Sequence, residues 1–89
     1  MALAELTLIG KPGCHLCDDA RDVIHAVADS LRDNPDAPSI TVSEVSILDD
    51  HVLFDEHVED IPVVLINGRI HTFWRVDPAR LATALLGVR

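Results

Sequence analysis

Leu6-Thr7-Leu8-Ile9-Gly10-Lys11-Pro12-Gly13-Cys14-His15-Leu16-Cys17 is the stretch on which the reading of this chain turns. An apolar run ends in a turn of two glycines, a lysine and a proline, and the turn ends on Cys14 and Cys17, the only cysteines among 89 residues. Beyond it, Leu16, Ala20, Val23, Ile24, Val27 and Leu31 recur at helical spacing, with Asp18, Asp19, Arg21, Asp22 and Asp29 mostly elsewhere on the wheel. The pattern is strand, turn, helix, with both thiols at the start of the helix. Unpaired N–H groups and the helix dipole favour the thiolate of the first cysteine there. Two thiols at this spacing can both approach a disulfide, and in this context they read as a redox motif.

Composition narrows the classes of function. Eighty-nine residues make one small domain, residues 1–89, without a repeat, a low-complexity tract or a separating linker. With 48% hydrophobic but only 3% aromatic residues, the core must be built from Val, Leu, Ile and Ala. A formal charge of -8 provides no basic stripe to neutralise phosphate, which argues against nucleic acid and anionic membranes as partners. No stretch approaches the roughly 18–20 apolar residues needed to span a bilayer. Met1-Ala2-Leu3-Ala4-Glu5 lacks the basic and long apolar regions of a signal peptide. Two cysteines are too few for a secreted disulfide scaffold, so the expected compartment is a reducing cytoplasm.

Residues 4–10 predict a buried strand, and Asn34-Pro35-Asp36-Ala37-Pro38 ends the first helix because two prolines cannot continue it. Ile40, Val42, Val45 and Ile47 suggest a second strand. Asp49 or Asp50 can cap a short helix running to about Glu56, with Val52, Leu53 and Phe54 available for burial. Ile61-Pro62-Val63-Val64-Leu65-Ile66 predicts a third strand, and Asn67-Gly68 a type I′ turn into a fourth, Arg69–Phe73. Asp77-Pro78 is an N-cap with proline at the first helical position, opening a last helix that buries Leu81, Leu85 and Val88. The order is βαβ, a short helix, then ββα. A parallel first pair and an antiparallel last pair make one mixed four-stranded α/β sheet with helices on both faces.

Over nearly its whole length the chain resembles a glutaredoxin-like member of the thioredoxin superfamily. The residues that carry the resemblance are the Gly10–Cys17 turn, the Ile61-Pro62-Val63 step about 45 residues later, the Asn67-Gly68 hairpin, and Asp77 at the last helix. Within that family it is similar to a small bacterial group with a Cys-His-Leu-Cys motif. The resemblance implies a thioredoxin-like fold of glutaredoxin type, with a cis proline at Pro62 facing the cysteines. It implies that Lys11 meets the carboxylate of a bound thiol tripeptide, that Ile61 and Pro62 help form the substrate site, and that Asp77 contacts a ligand's amino group. Lys11 also reads as an ordinary turn residue and Asp77 as a plain cap. One departure stands out. Glutaredoxins carry a Gly-Gly pair shortly after the hairpin, whereas this chain has His71-Thr72-Phe73-Trp74-Arg75-Val76. That bulk either blocks the approach of glutathione or forms a different recognition surface through Trp74 and Arg75.

The chemistry expected of the motif needs two different cysteines. Cys14, at the exposed end of the helix, is the candidate nucleophile. Cys17, one turn inward, is the candidate resolving thiol that releases the substrate. Cysteines so placed have pKa values of ~3.5–7.5, against ~8.5 when free. His15, when protonated, would favour the Cys14 thiolate, and it reads equally as a solvent-facing spacer. Asp18 and Asp19 oppose thiolate formation. His25, His51, His57 and His71 share no spacing and are expected on the surface. The expected function is a thiol–disulfide oxidoreductase acting on protein or small-thiol disulfides as a monomer, without a tightly bound cofactor or metal. Glutathione, another low-molecular-weight thiol or a flavin-dependent reductase would return the electrons. Two alternatives remain open at this level. In one the cysteines bind metal or an iron–sulfur cluster, which would need a dimer or an external thiol to complete four ligands. In the other the domain is a redox-inactive interaction module.

Overall fold

Strand β1 (Leu3–Gly10) explains the layering of the molecule. Its side chains alternate, so Ala4, Leu6 and Leu8 enter one core and Ile9 enters another on the opposite side of the sheet. The computed structural model describes residues 2–88, so the ends of the 1–89 span and the Met1 of the N-terminal reading lie outside the described residues. After β1 come α1 (His15–Leu31), β2 (Ser39–Ser46), α2 (His51–His57), β3 (Val63–Ile66), β4 (Arg69–Phe73) and α3 (Pro78–Leu86). Among the described residues the strands form one sheet in the order β2-β1-β3-β4. The pair β1/β2 is parallel, and β1/β3 and β3/β4 are antiparallel. This is the mixed sheet expected from the element order.

The larger core joins Leu6, Leu8 and Val64 to Ala20, Ile24, Val27 and Leu31 of α1 and to Leu81 and Leu85 of α3. The smaller gathers Ile9, Ile47 and Val63, with Leu53 of α2 packed against them. Helices therefore cover both faces. Asn67 (φ 50°) and Gly68 (φ 81°) both adopt the left-handed backbone that a type I′ turn requires. Asn67 also ties the hairpin to β1, since its Oδ1 accepts the Glu5 N–H at 2.8 Å and its Nδ2 donates to the Leu3 carbonyl at 3.2 Å.

The structure corrects several expectations. β3 begins at Val63 rather than Ile61, because Pro62 has no N–H to offer a ladder. β2 spans Ser39–Ser46, and Ile47 follows it, buried, with its N–H on the Gly10 carbonyl at 2.9 Å. Of the three α2 residues offered for burial only Leu53 packs inward, while Val52 and Phe54 are exposed. A seven-residue helix presents a single stripe, here Leu53 and the half-buried His57 one turn on. His57 and His71 are thus partly buried rather than on the surface, whereas His25 and His51 are exposed as expected. Leu16 is exposed as well, because Cys17 and not Leu16 occupies the inward face of the first turn of α1. Val88 is half-buried against the larger core.

Candidate active site

β1 delivers the chain to one end of the sheet at Gly10, the turn reverses it through Gly13 (φ 75°), and α1 starts immediately after Cys14. Cys14 is the N-cap. It has an extended backbone, and its Sγ accepts the Cys17 N–H at 3.2 Å while its carbonyl accepts the Asp18 N–H at 3.0 Å. A sulfur in that position takes up one of the orphan donors of the helix start, and a negative charge on it is favoured by the same geometry. Cys14 and Cys17 are joined as a disulfide with their Cα atoms 5.2 Å apart. Their surroundings differ sharply. Cys14 is half-buried at the helix tip, whereas Cys17 is 1% exposed.

The space for Cys17 comes from Gly10. A Cβ at that position would lie 2.9 Å from the Cys17 Sγ and 3.2 Å from its Cβ. The sequence places Gly10 at the end of the first strand and the start of the turn, with no partner assigned to it. Its place at the last position of β1, seven residues before the inward cysteine, was the available signal, but the contact crosses from strand to helix and has no local pattern.

Electrostatics around the pair are also more balanced than the run of acids suggested. Arg21, one turn beyond Cys17, donates from Nη1 to Asp18 Oδ1 at 2.8 Å and from Nη2 to Glu44 Oε2 at 3.0 Å, and its Nε also binds Glu44. These carboxylates, Glu44 foremost and then Asp18, hold the guanidinium's pKa above its ordinary value, so it stays charged. The Asp18 charge beside the thiols is thereby compensated. A cleft of about 220 Å³ brings Lys11, Cys17, Arg21 and Glu44 to common walls.

The other expected site residues separate into two groups. Lys11 is exposed in the turn and shares that cleft with Cys17, and His15 is exposed as the first residue of α1. The Ile61–Pro62 bond is cis and Pro62 is buried. Ile61 packs with Ile9 and Val63, at the end of the sheet from which the cysteine turn departs. Asp77 stands apart: its Oδ1 accepts the N–H groups of Ala79 at 2.8 Å and Arg80 at 3.2 Å, the work of an N-cap. Among the described residues no hydrogen bond or ion pair connects Asp77 to the cysteine turn, and no group of three or more His, Cys, Asp or Glu side chains is arranged to hold a metal ion. Among the described residues no helix is long and apolar enough to cross a membrane.

Comparison with known proteins agrees with this architecture. The family model described as Glutaredoxin-like domain (DUF836) matches residues 5–86. Uncharacterized proteins of Mycobacterium bovis and Mycobacterium tuberculosis are each 28% identical over 81 residues, covering 91% of this chain and 81% of theirs. A structural-genomics target protein from X. campestris superposes with a TM-score of 0.67 at 32% identity, over 90% of this chain and 93% of that one. The first thioredoxin domain of mouse protein disulfide-isomerase A4 has a TM-score of 0.61 at 19% identity, over 92% of this chain and 60% of that one, a likeness of fold.

Proposed function

The chain belongs to the glutaredoxin-like family of the thioredoxin fold, and from that premise we propose that it is a thiol–disulfide oxidoreductase working through Cys14 and Cys17. The observation that carries the reading is the asymmetry of the pair, one sulfur half-buried on the helix N-cap and the other buried a turn inside. In the reduced protein the Cys14 thiolate attacks one sulfur of a substrate disulfide. A Cys14–substrate disulfide forms, the substrate S–S bond breaks, and the departing thiolate takes up a proton. Cys17 then loses its proton and attacks the Cys14 sulfur. The second substrate thiol leaves and the Cys14–Cys17 disulfide closes. Two electrons have passed from the dithiol to the substrate. A low-molecular-weight thiol such as glutathione, or a flavin-dependent reductase, returns them, so the protein itself needs no tightly bound cofactor.

Pro62 and Ile61 border the reacting sulfurs in this reading, Lys11 offers a cation to a substrate carboxylate, and His15 tunes the Cys14 thiolate when protonated. Asp77 acts as the cap of α3, its Oδ1 engaged by the helix, which leaves only the second carboxylate oxygen for any ligand amino group. The substrates are protein or small-thiol disulfides, met by the monomer in a reducing cytoplasm. Reduction of hydroxyethyl disulfide and of a protein disulfide, coupled to a thiol or reductase donor, tests the assignment. Cys14→Ser abolishes turnover and Cys17→Ser accumulates a mixed disulfide on Cys14. Full activity in Cys14→Ser would end the reading, and full activity in Cys17→Ser would make the chemistry monothiol.

A further inference from the structure

Trp74 is held in a conformation that a large side chain rarely adopts. Its φ is 61°, in the left-handed region. Backbone and side chain are both fixed: its N–H donates to the Pro62 carbonyl at 2.8 Å, and its indole Nε1–H donates to the Glu59 carbonyl at 3.2 Å. The next residue is fixed as well, with the Arg75 N–H on the Phe73 carbonyl at 2.6 Å and the Thr72 hydroxyl donating to the Arg75 carbonyl at 3.2 Å. Strain of this kind persists only where its surroundings over-determine it, and such outliers cluster at functional sites. Yet the ring so firmly placed is 55% exposed. A rigid, exposed aromatic with little conformational freedom left to lose is the usual anchor of a binding surface.

Trp74 lines a cleft of about 190 Å³ together with Leu16, Ala20 and Val23 of α1 and with Arg75 and Val76. Leu16 lies between Cys14 and Cys17 in the chain, so the cleft adjoins the redox pair, and its 38% exposure leaves its apolar surface open to an occupant. The walls suit an aliphatic side chain. At the rim, Arg75 is exposed and joins no ion pair among the described residues, in a chain whose formal charge is -8. Asp19 stands on the same rim and disfavours a ligand that brings only negative charge.

We propose that this cleft is a docking site for a disulfide-bonded polypeptide, taking an apolar side chain that neighbours the reacting half-cystine between Leu16 and Trp74 and a carboxylate of the same segment on Arg75. The inference rests on the redox reading of Cys14 and Cys17 and narrows its substrate class. Glutathione has no apolar side chain to offer, so the cleft discriminates in favour of polypeptides.

The test uses two short peptide disulfides, each with a glutamate, that differ by Leu or Ala beside the cysteine, and their unreactive Cys→Ser counterparts. The Leu peptide disulfide is reduced with a kcat/KM roughly 10-fold or more above the Ala peptide, the span expected for a few methylenes in an apolar pocket. That ratio falls to about one in Trp74→Ala and is partly kept in Trp74→Phe, which retains an aromatic side chain but loses the Nε1–H bond to Glu59. Trp74 is the chain's one tryptophan, so its emission reports docking without any turnover. The unreactive Leu peptide changes the emission saturably, and glutathione does not. Equal rates for the two peptides, or a saturable response to glutathione as strong as that to the Leu peptide, overturn the proposal. Failure of the redox reading looks different: the unreactive Leu peptide still binds while no disulfide, small or peptide, is reduced. Good reduction of hydroxyethyl disulfide without a Leu preference removes the docking site and leaves the redox centre.

Discussion

At Cys14 and Cys17 the same side chain meets two environments, and the difference comes from neighbours rather than from the cysteines. Cys14 receives the Cys17 N–H at the tip of α1, whereas Cys17 sits against Gly10, where a methyl group would press on its sulfur at 2.9 Å. Gly10→Ala therefore acts through packing. Because both the glycine and Cys17 are buried, the overpacked site is expected to lose about 1–3 kcal/mol in urea unfolding of the oxidised protein, with Gly13→Ala as a comparison that meets no atom within 4 Å but strains a positive φ. An unchanged midpoint for Gly10→Ala would show that the turn simply moves away. His71 offers a second test at this scale. Burial, then the Arg80 charge, lowers its pKa below the ordinary 6.5, and its Nε2 is buried without a hydrogen-bond partner. The folded state thus favours the neutral ring. Its contribution to stability is complete above about pH 6.5 and is lost as the pH falls through the depressed folded value. Wild type should lose stability between pH 7 and pH 5 more steeply than His71→Gln, as followed by urea midpoints. Parallel curves would contradict this.

Among the elements, local chemistry settles the ends and long-range packing settles the faces. Asp50 and Asp77 each accept two N–H groups at a helix start, as a cap should. Asp77→Ala is expected to cost about 1 kcal/mol of unfolding free energy with no specific rise in KM for disulfides. A raised KM at unchanged stability would assign Asp77 to a ligand instead. The caps, the Asn67-Gly68 turn and the helical period of α1 were all legible because each depends on residues within a turn or two of one another. The burial of Val52 and Phe54 depended on which stripe of a short helix met Ile9 and Val63, a contact between distant segments. The exposure of Leu16 depended on Cys17 taking the inward face. The Arg21–Glu44 pair spans 23 positions from α1 to the edge strand β2 and leaves no spacing signal. Of the candidate site, the cysteines and their order along α1 were visible in the chain. The glycine behind Cys17 and the pinned ring of Trp74 required the folded backbone.

For the molecule as a whole, the sheet order β2-β1-β3-β4 is what makes a site from scattered segments. Central β1 carries the cysteine turn, and its neighbour β3 brings the Ile61–Pro62 step to the same end of the sheet through the contacts of Ile9 with Val63 and Ile61. The Trp74 N–H on the Pro62 carbonyl then attaches the segment after β4 to that step. Arg21 compensates Asp18 and Glu44, while Lys11 and Arg75 join no ion pair among the described residues. A fold that gathers these groups around one half-buried and one buried sulfur is suited to passing a disulfide inward in two steps. The proposed division of labour between Cys14 and Cys17 is read out by intact-mass measurement after reduced protein is mixed with a peptide disulfide. Wild type should lose two hydrogens per chain, release both peptide thiols and carry no adduct, whereas Cys17→Ser should gain one peptide on Cys14 and keep it until a thiol is added. An adduct on Cys17 in Cys14→Ser that forms as fast would make the two sulfurs equivalent, and a wild-type mass that does not change would leave the pair without dithiol chemistry.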